Sequence, residues 1–414
     1  MKIKPVKGNC FCGYLTLATR ELKRYLRNML VFCVICYCMM LVPSVWSGEA
    51  EDLKKSVDEW EKTQEGTQTK DAAQARWTDK IEIGYKNGLY IRTKDGKYSL
   101  RLHFLLQSQY QYLAADRVSN INTFNLRHGQ MRFFGNFFDP KLKFRVMFEL
   151  PGTQGGATAN LRDMWVDWQW KKYFQIKIGQ FFVFYDHENL EPTWALQFVD
   201  RSIINAHLGF ERDLGVDVHG SLFSDRLEYD LFLMNGEGRN QTNLNSKLMI
   251  GGRIVTNILG KHNYFISDLE KLRDPNLAIG VAAIYDMGNA GIDNNRLTRI
   301  TGDIAFRYQG FSTLALANMA YNITKEETDY GFLGQIGFFL FPNRLEVAGR
   351  WAKIFKNGAL GTDTIDLQEA GVTLNYYFYG HHVKLQADYS RLWNNAGIQG
   401  RNDDRVRLQT QLFF

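Results

Sequence analysis

Lys143 and Arg145, Lys177, Arg350, Lys384, and Arg405 with Arg407 each stand in a stretch where charged and apolar residues alternate. The acids Asp163, Asp167, Asp217, Glu346 and Asp388 stand in the same way. Side chains two apart on a strand share a face, so these charges gather on one surface, where they solvate it and attract or repel ions. Residue sets that make or break bonds are missing. There is no HExxH, GxSxG or GxxxxGK, and His187 beside Glu188 reads as a loop charge pair. Cys33 and Cys36 form a CxxC without a following histidine, and all five cysteines lie between Cys10 and Cys38. No catalytic residue, metal-ligand set or cofactor is expected. The chemistry on offer is the electrostatics of a charged wall.

The elements that would carry such a wall are strands. HVKLQADYSRLW (382–393), KLKFRVMFEL (141–150) and the C-terminal RVRLQTQLFF each alternate apolar with polar or charged residues. Similar segments recur at 97–112, 124–136, 140–150, 160–170, 173–183, 212–221, 226–235, 247–259, 276–286, 297–308, 311–322, 331–341, 344–354, 366–379, 382–392 and 404–414. Their connections alternate between tight turns and longer polar loops, with Gly260 to Pro275 as the one long turn that breaks the rule.

Composition narrows the setting. The net charge of +6 invites a nucleic-acid reading, but residues 1–48 hold seven Lys/Arg against one acid, and without them 43 of each sign remain. A neutral remainder lacks the phosphate-neutralising excess that nucleic-acid binding requires. Within 1–48 a basic stretch precedes the apolar run MLVFCVICYCMMLV (29–42), then Pro43 and small residues. This reads as a signal peptide, because fourteen apolar residues fall short of the ~20 that span a bilayer. Residues 49–76 read as a polar periplasmic linker or short helix.

An all-β chain with an apolar outer face and a polar inner face is read as a transmembrane antiparallel β-barrel over 97–414, of sixteen strands, in an outer membrane of the Gram-negative type. Closure gives every backbone group a partner where lipid offers none. Segment 77–100 is read as a periplasmic hairpin extension with its turn at Asp95-Gly96.

The stretches RHGQMRFFGNFFDPKLKFRVMFEL (127–150), FQIKIGQFFVFYDHENL (174–190), FVDRSIINAHLGFERDLGVDVHG (198–220), FLMNGEG (232–238), FPNRLEVAGRW (341–351) and VTLNYYFYGHHVKLQADYS (372–390) resemble the phosphate-selective porin O and P family, in one order over about residues 81–414. The resemblance implies a trimer of barrels, with the third external loop folded inward to narrow the pore. It also implies that Phe414 is the signal read by the outer-membrane assembly machinery.

That loop, about Phe184 to Arg212, supplies the expected constriction residues Asp186, His187, Glu188, Glu191, Arg201 and Arg212, facing the wall charges named above. Its carboxylates outnumber its arginines, and His128 and Gln130 stand where the family commonly places cations. A weakly selective pore, or one leaning toward cations, is therefore expected. The function read from the sequence is a water-filled diffusion channel for small hydrophilic solutes or ions, inorganic anions such as phosphate among them. A second reading is a barrel sleeve around a partner protein such as an electron-transfer cytochrome.

Overall fold

The computed structural model describes residues 80–153, 156, 158–288 and 296–414. The leader, the linker and all five cysteines lie outside the described residues. Among the described residues eighteen strands follow one another: β1 (Ile81–Tyr85), β2 (Leu89–Thr93), β3 (Ser99–Ala114), β4 (Ile121–Asn136), β5 (Leu142–Glu149), β6 (Asn160–Lys171), β7 (Phe174–Phe182), β8 (Arg212–Leu222), β9 (Leu227–Met234), β10 (Met249–Leu259), β11 (Asn276–Asp286), β12 (Leu297–Tyr308), β13 (Phe311–Asn322), β14 (Glu327–Phe341), β15 (Leu345–Phe355), β16 (Leu367–Tyr379), β17 (Val383–Trp393) and β18 (Asn402–Phe413).

From β3 to β18 each strand pairs antiparallel with the next, and β18 pairs with β3 from Asp404↔Ala114 to Phe413↔Leu105. The sheet is thus a closed barrel of sixteen strands. Phe414 completes the seam: its N–H donates to Phe104 O (3.0 Å), and Phe104 N–H donates to Phe414 O (2.7 Å). Beyond that point β2 takes the place of β18 beside β3, with Leu89 opposite Leu102. The first hairpin turns at Asn87-Gly88, where both residues have positive φ. Asp95-Gly96 is a hairpin turn as expected, and it joins β2 antiparallel to the first barrel strand, with Thr93 N–H donating to Tyr98 O (2.9 Å).

Alternation decides the faces. Ile304, Ile336, Val372 and Leu408 point outward and are exposed, while their neighbours Asp303, Gln335, Thr373 and Gln409 are buried. An apolar outside over a polar inside is stable only where the surroundings are hydrocarbon. Trp168, Trp170, Tyr173, Phe338, Phe341, Phe378 and Tyr379 cluster toward the tight-turn end, as aromatic girdles do at a membrane interface.

The inside is not uniformly polar. Along β12–β16 the inward residues include Leu314, Leu316, Leu333, Ala352, Ile354 and Leu367, which form a buried apolar cluster with Ile204, Leu208 and Ile266. Those three come from two connecting segments, 183–211 and 260–275, so this part of the wall faces protein. A wall residue without a side chain makes the approach possible: a Cβ on Gly331 would stand 2.4 Å from Leu208 Cδ1.

Candidate functional site

The connection 183–211 is the longest between two strands, and its ordered structure comes from short capped turns. Helix α1 (His187–Leu190) is capped by Asp186, which accepts from Asn189 N–H at 2.7 Å. Helix α2 (Ile203–Leu208) is capped by Ser202, which accepts from Ile204 N–H at 3.2 Å. The segment is held to inward-facing residues of the wall. Asn318 Nδ2 donates to Asp186 (3.0 Å), Gln335 Nε2 to Gln197 (2.8 Å), Arg350 to the carbonyl of Asp200 (2.8 Å) and Lys384 Nζ to the carbonyl of Leu196 (2.8 Å).

The expected constriction residues therefore divide. Asp186, His187, Glu188 and Glu191 are all buried and face protein. Glu188 accepts from Ser202 N–H (2.6 Å) and Oγ (2.7 Å), and stands 3.9 Å from Arg350. Burial raises the Glu188 and Asp186 carboxyls and pushes that of Glu191 up to about 8. His187 is pushed down to about 3 by burial and by Arg253 and Arg307. Asp186, Glu188 and Glu191 serve as caps and docking points, whereas Asp200 and Glu211 of the same loop line its open side. A net count over a loop cannot tell which side each carboxylate faces.

Open space lies on the other side of the segment. A cavity of about 280 Å³ is lined by Arg127, Arg162, Arg201, Arg212, Arg405 and Arg407, against Asp200, Glu211 and Glu369. Arg212 Nε meets Asp163 at 3.0 Å, Arg405 meets Glu369 at 3.2 Å and Arg407 meets Asp388 at 2.6 Å. Arg201 donates to the carbonyls of Glu188 (2.9 Å) and Glu191, closing the end of α1. Burial opposes ionisation of Asp200, but Arg127 and Arg407 outweigh it and hold that carboxyl well below its usual range. The carboxylates that balance the other arginines, Glu149, Asp163 and Asp388, are buried and do not line the cavity. Six arginines and three carboxylates thus line the space, an excess of three positive charges, although the most exposed of the paired charges is Glu211.

Two of these arginines escape an alternation argument. On β4 the inward residues are His128, Gln130 and Arg132, so Arg127 should face lipid. The β3–β4 register passes from Gln107↔His128 to Ser108↔Leu126, leaving Arg127 as an extra residue that bonds Asp200. On β6 the register passes from Met147↔Asp163 to Phe148↔Leu161, and the extra residue Arg162 turns onto Glu149 (3.1 Å). Such bulges re-aim a side chain by one position. Glu149 is the common acceptor, also taking Gln130 Nε2 (2.9 Å) and meeting His128 Nδ1 (3.0 Å). The two bulges thus bring arginines beside His128 and Gln130.

A second cavity of about 520 Å³ opens toward the tight-turn end, lined by Lys86, Arg92, Arg101, Lys143 and Arg145 with Tyr90, Phe134, Trp165 and Gln169, and no carboxylate. Lys86 and Arg92 belong to the first hairpin, a contribution no local signal announces. Arg132 lies between the two cavities along β4. The remaining expected wall cations hold structure: Arg350 bonds Glu369 at 2.8 Å over the Phe198 ring, Lys384 is buried under the segment, and Lys177 stands 3.5 Å from Asp217.

A closed sixteen-stranded barrel, apolar outside and lined by charge within, is the architecture of an outer-membrane porin, a passage for small hydrophilic solutes. The family model described as phosphate-selective porin O and P matches residues 99–258, and over that stretch the resemblance read from the sequence holds. Both arginine bulges fall inside it. Solved structures share the fold at low identity. The anion-selective porin from Comamonas acidovorans aligns with a TM-score of 0.54 at 11% identity, over 76% of this chain and 99% of that one. OmpF of Salmonella typhi aligns at 0.56 and 12%, over 80% and 100%. The outer membrane channel DcaP of Acinetobacter baumannii aligns at 0.53 and 10%, over 78% and 99%. No curated protein matches the chain in sequence.

Proposed function

We propose that the barrel is a diffusion channel with a lean toward small inorganic anions, phosphate among them, and that segment 183–211 forms its constriction. The observation that carries this reading is the line of arginines on the open side of that segment, two of them delivered by bulges. Charge that lines a narrow aqueous space acts through less screening than charge on an exposed surface, and buried carboxylates act at longer range. The preference is moderate, because each lining arginine has a carboxylate or carbonyl within reach. The family match and the anion-selective porin among the structural neighbours agree with this direction. The sleeve reading gains nothing here, since the chain's own segments occupy the lumen beside β12–β16.

The test is planar-bilayer recording across a potassium chloride gradient, followed by addition of phosphate. A reversal potential on the chloride side supports the reading, and one on the potassium side removes it. We also propose a homotrimer, in line with a Vibrio cholerae OmpT structure described as a trimer form. Light scattering of detergent-solubilised protein decides the number of chains.

A further inference from the structure

We propose that Asp217, His219 and Asp230 form a binding site for a divalent transition-metal ion on the inner wall of the barrel. Asp217 and His219 are two apart on β8 and share its inward face, and the β8–β9 ladder sets Asp230 opposite His219. One ligand atom from each of the three lies within 4.8 Å of the others. The Asp217 side chain is fully buried, and only one of its oxygens is engaged: Oδ2 stands 3.5 Å from Lys177 Nζ, at the outer limit of a hydrogen bond. Its Oδ1 is buried with no donor among the described residues. An unpartnered carboxylate oxygen in that position calls for a cation.

The histidine is oriented for such a role. His219 Nε2 meets Asp167 Oδ1 at 3.0 Å, and Asp167 Oδ2 accepts from Gln169 at 2.9 Å. A carboxylate on one imidazole nitrogen fixes the tautomer and leaves the other nitrogen, Nδ1, as a lone-pair donor, the arrangement that metal-ligating histidines commonly share. Charge favours a divalent ion. Asp167, Asp217 and Asp230 face the ammonium of Lys177, and Lys143 stands opposite Asp167 in the neighbouring ladder, while Arg253 is committed to Asp303 through bonds of 2.8 and 2.9 Å. With neutral imidazole three carboxylates face two ammonium groups, and the group stays short of positive charge. One nitrogen with two carboxylate oxygens suits zinc, nickel or copper better than magnesium or calcium, which prefer all-oxygen shells.

The test is calorimetric titration of zinc chloride into the tag-free, folded barrel in detergent. About one equivalent is expected to bind. His219→Ala and Asp230→Asn each abolish that uptake, while Asp167→Asn, which touches only the orienting carboxylate, weakens it about 10- to 100-fold. Heat-modified mobility on gels verifies that each variant is a folded barrel. Absence of zinc uptake by the wild type overturns the proposal. So does uptake by a folded His219→Ala or Asp230→Asn barrel equal to that of the wild type.

Discussion

Glu191 Oε1 accepts the backbone N–H of Ile266 at 3.0 Å, joining the long segment that enters from one end of the barrel to the long turn that enters from the other. Around this contact Trp194 packs edge-on to Phe265 at 5.2 Å, and His187 packs on His262 at 5.0 Å. Ser267 adds a bond to Glu346 at 2.9 Å. The turn Gly260 to Pro275 departs from the tight-turn pattern because it reaches inward to the back of segment 183–211.

This contact is expected to depend on pH. Burial pushes the Glu191 carboxyl up to about 8, against an unfolded value near 4.5. A raised carboxyl binds its proton more tightly in the folded state, so its contribution is complete below about pH 4.5 and is lost as pH rises through about 8. Amide exchange across 262–270 should accelerate between pH 7 and 9 beyond the intrinsic rate. Glu191→Gln should flatten that excess, and an unchanged excess in the variant would assign the effect elsewhere.

The bulged arginines should act on selectivity and the buried carboxylates should not. Replacing Arg127 and Arg162 with serine removes two lining charges, each worth about 1 kcal/mol to a nearby ion in water, or about fivefold in that ion's local concentration. Reversal potentials should shift toward potassium. Asp186→Asn leaves the lining charges unchanged, and its reversal potential should stay within error of wild type.

Gly331 sets the seat of α2. A Cβ there would lie 2.4 Å from Leu208 Cδ1 and 3.0 Å from Ile204 Cδ1, whereas one on Gly349 would meet nothing within 4 Å. Gly331→Ala should lower stability by roughly 1–3 kcal/mol and expose 183–211 to added protease. Gly349→Ala should do neither. Equal thermal midpoints for the two variants would show that the seat yields freely.

Removing Phe414 deletes both backbone bonds to Phe104 at the closing seam. Cells producing the shortened chain should show little heat-modifiable barrel in the outer membrane. Normal abundance there would mean that β18 closes and assembles without its last residue.

The sequence by itself determined the barrel: the sixteen strands, the apolar face that most of them turn to lipid, and the alternation of tight turns with longer loops. Those follow from a two-residue alternation that repeats within a dozen residues, because each strand must bury one face in hydrocarbon and keep the other wet. Only the tertiary structure decided the site. Strict alternation through His128 and Gln130 or through Asp163 would turn Arg127 and Arg162 outward; an extra residue in the ladder turns them inward, and it is defined only against the partner strand. Asp186, Glu188 and Glu191 read as pore charges until Asn318, Gln335, Arg350 and Lys384, all more than 100 residues further along, settle which face of the segment lies against the wall. Periodicity is local and therefore legible, whereas the direction of a charge inside a closed barrel depends on contacts that exist only after the barrel has closed.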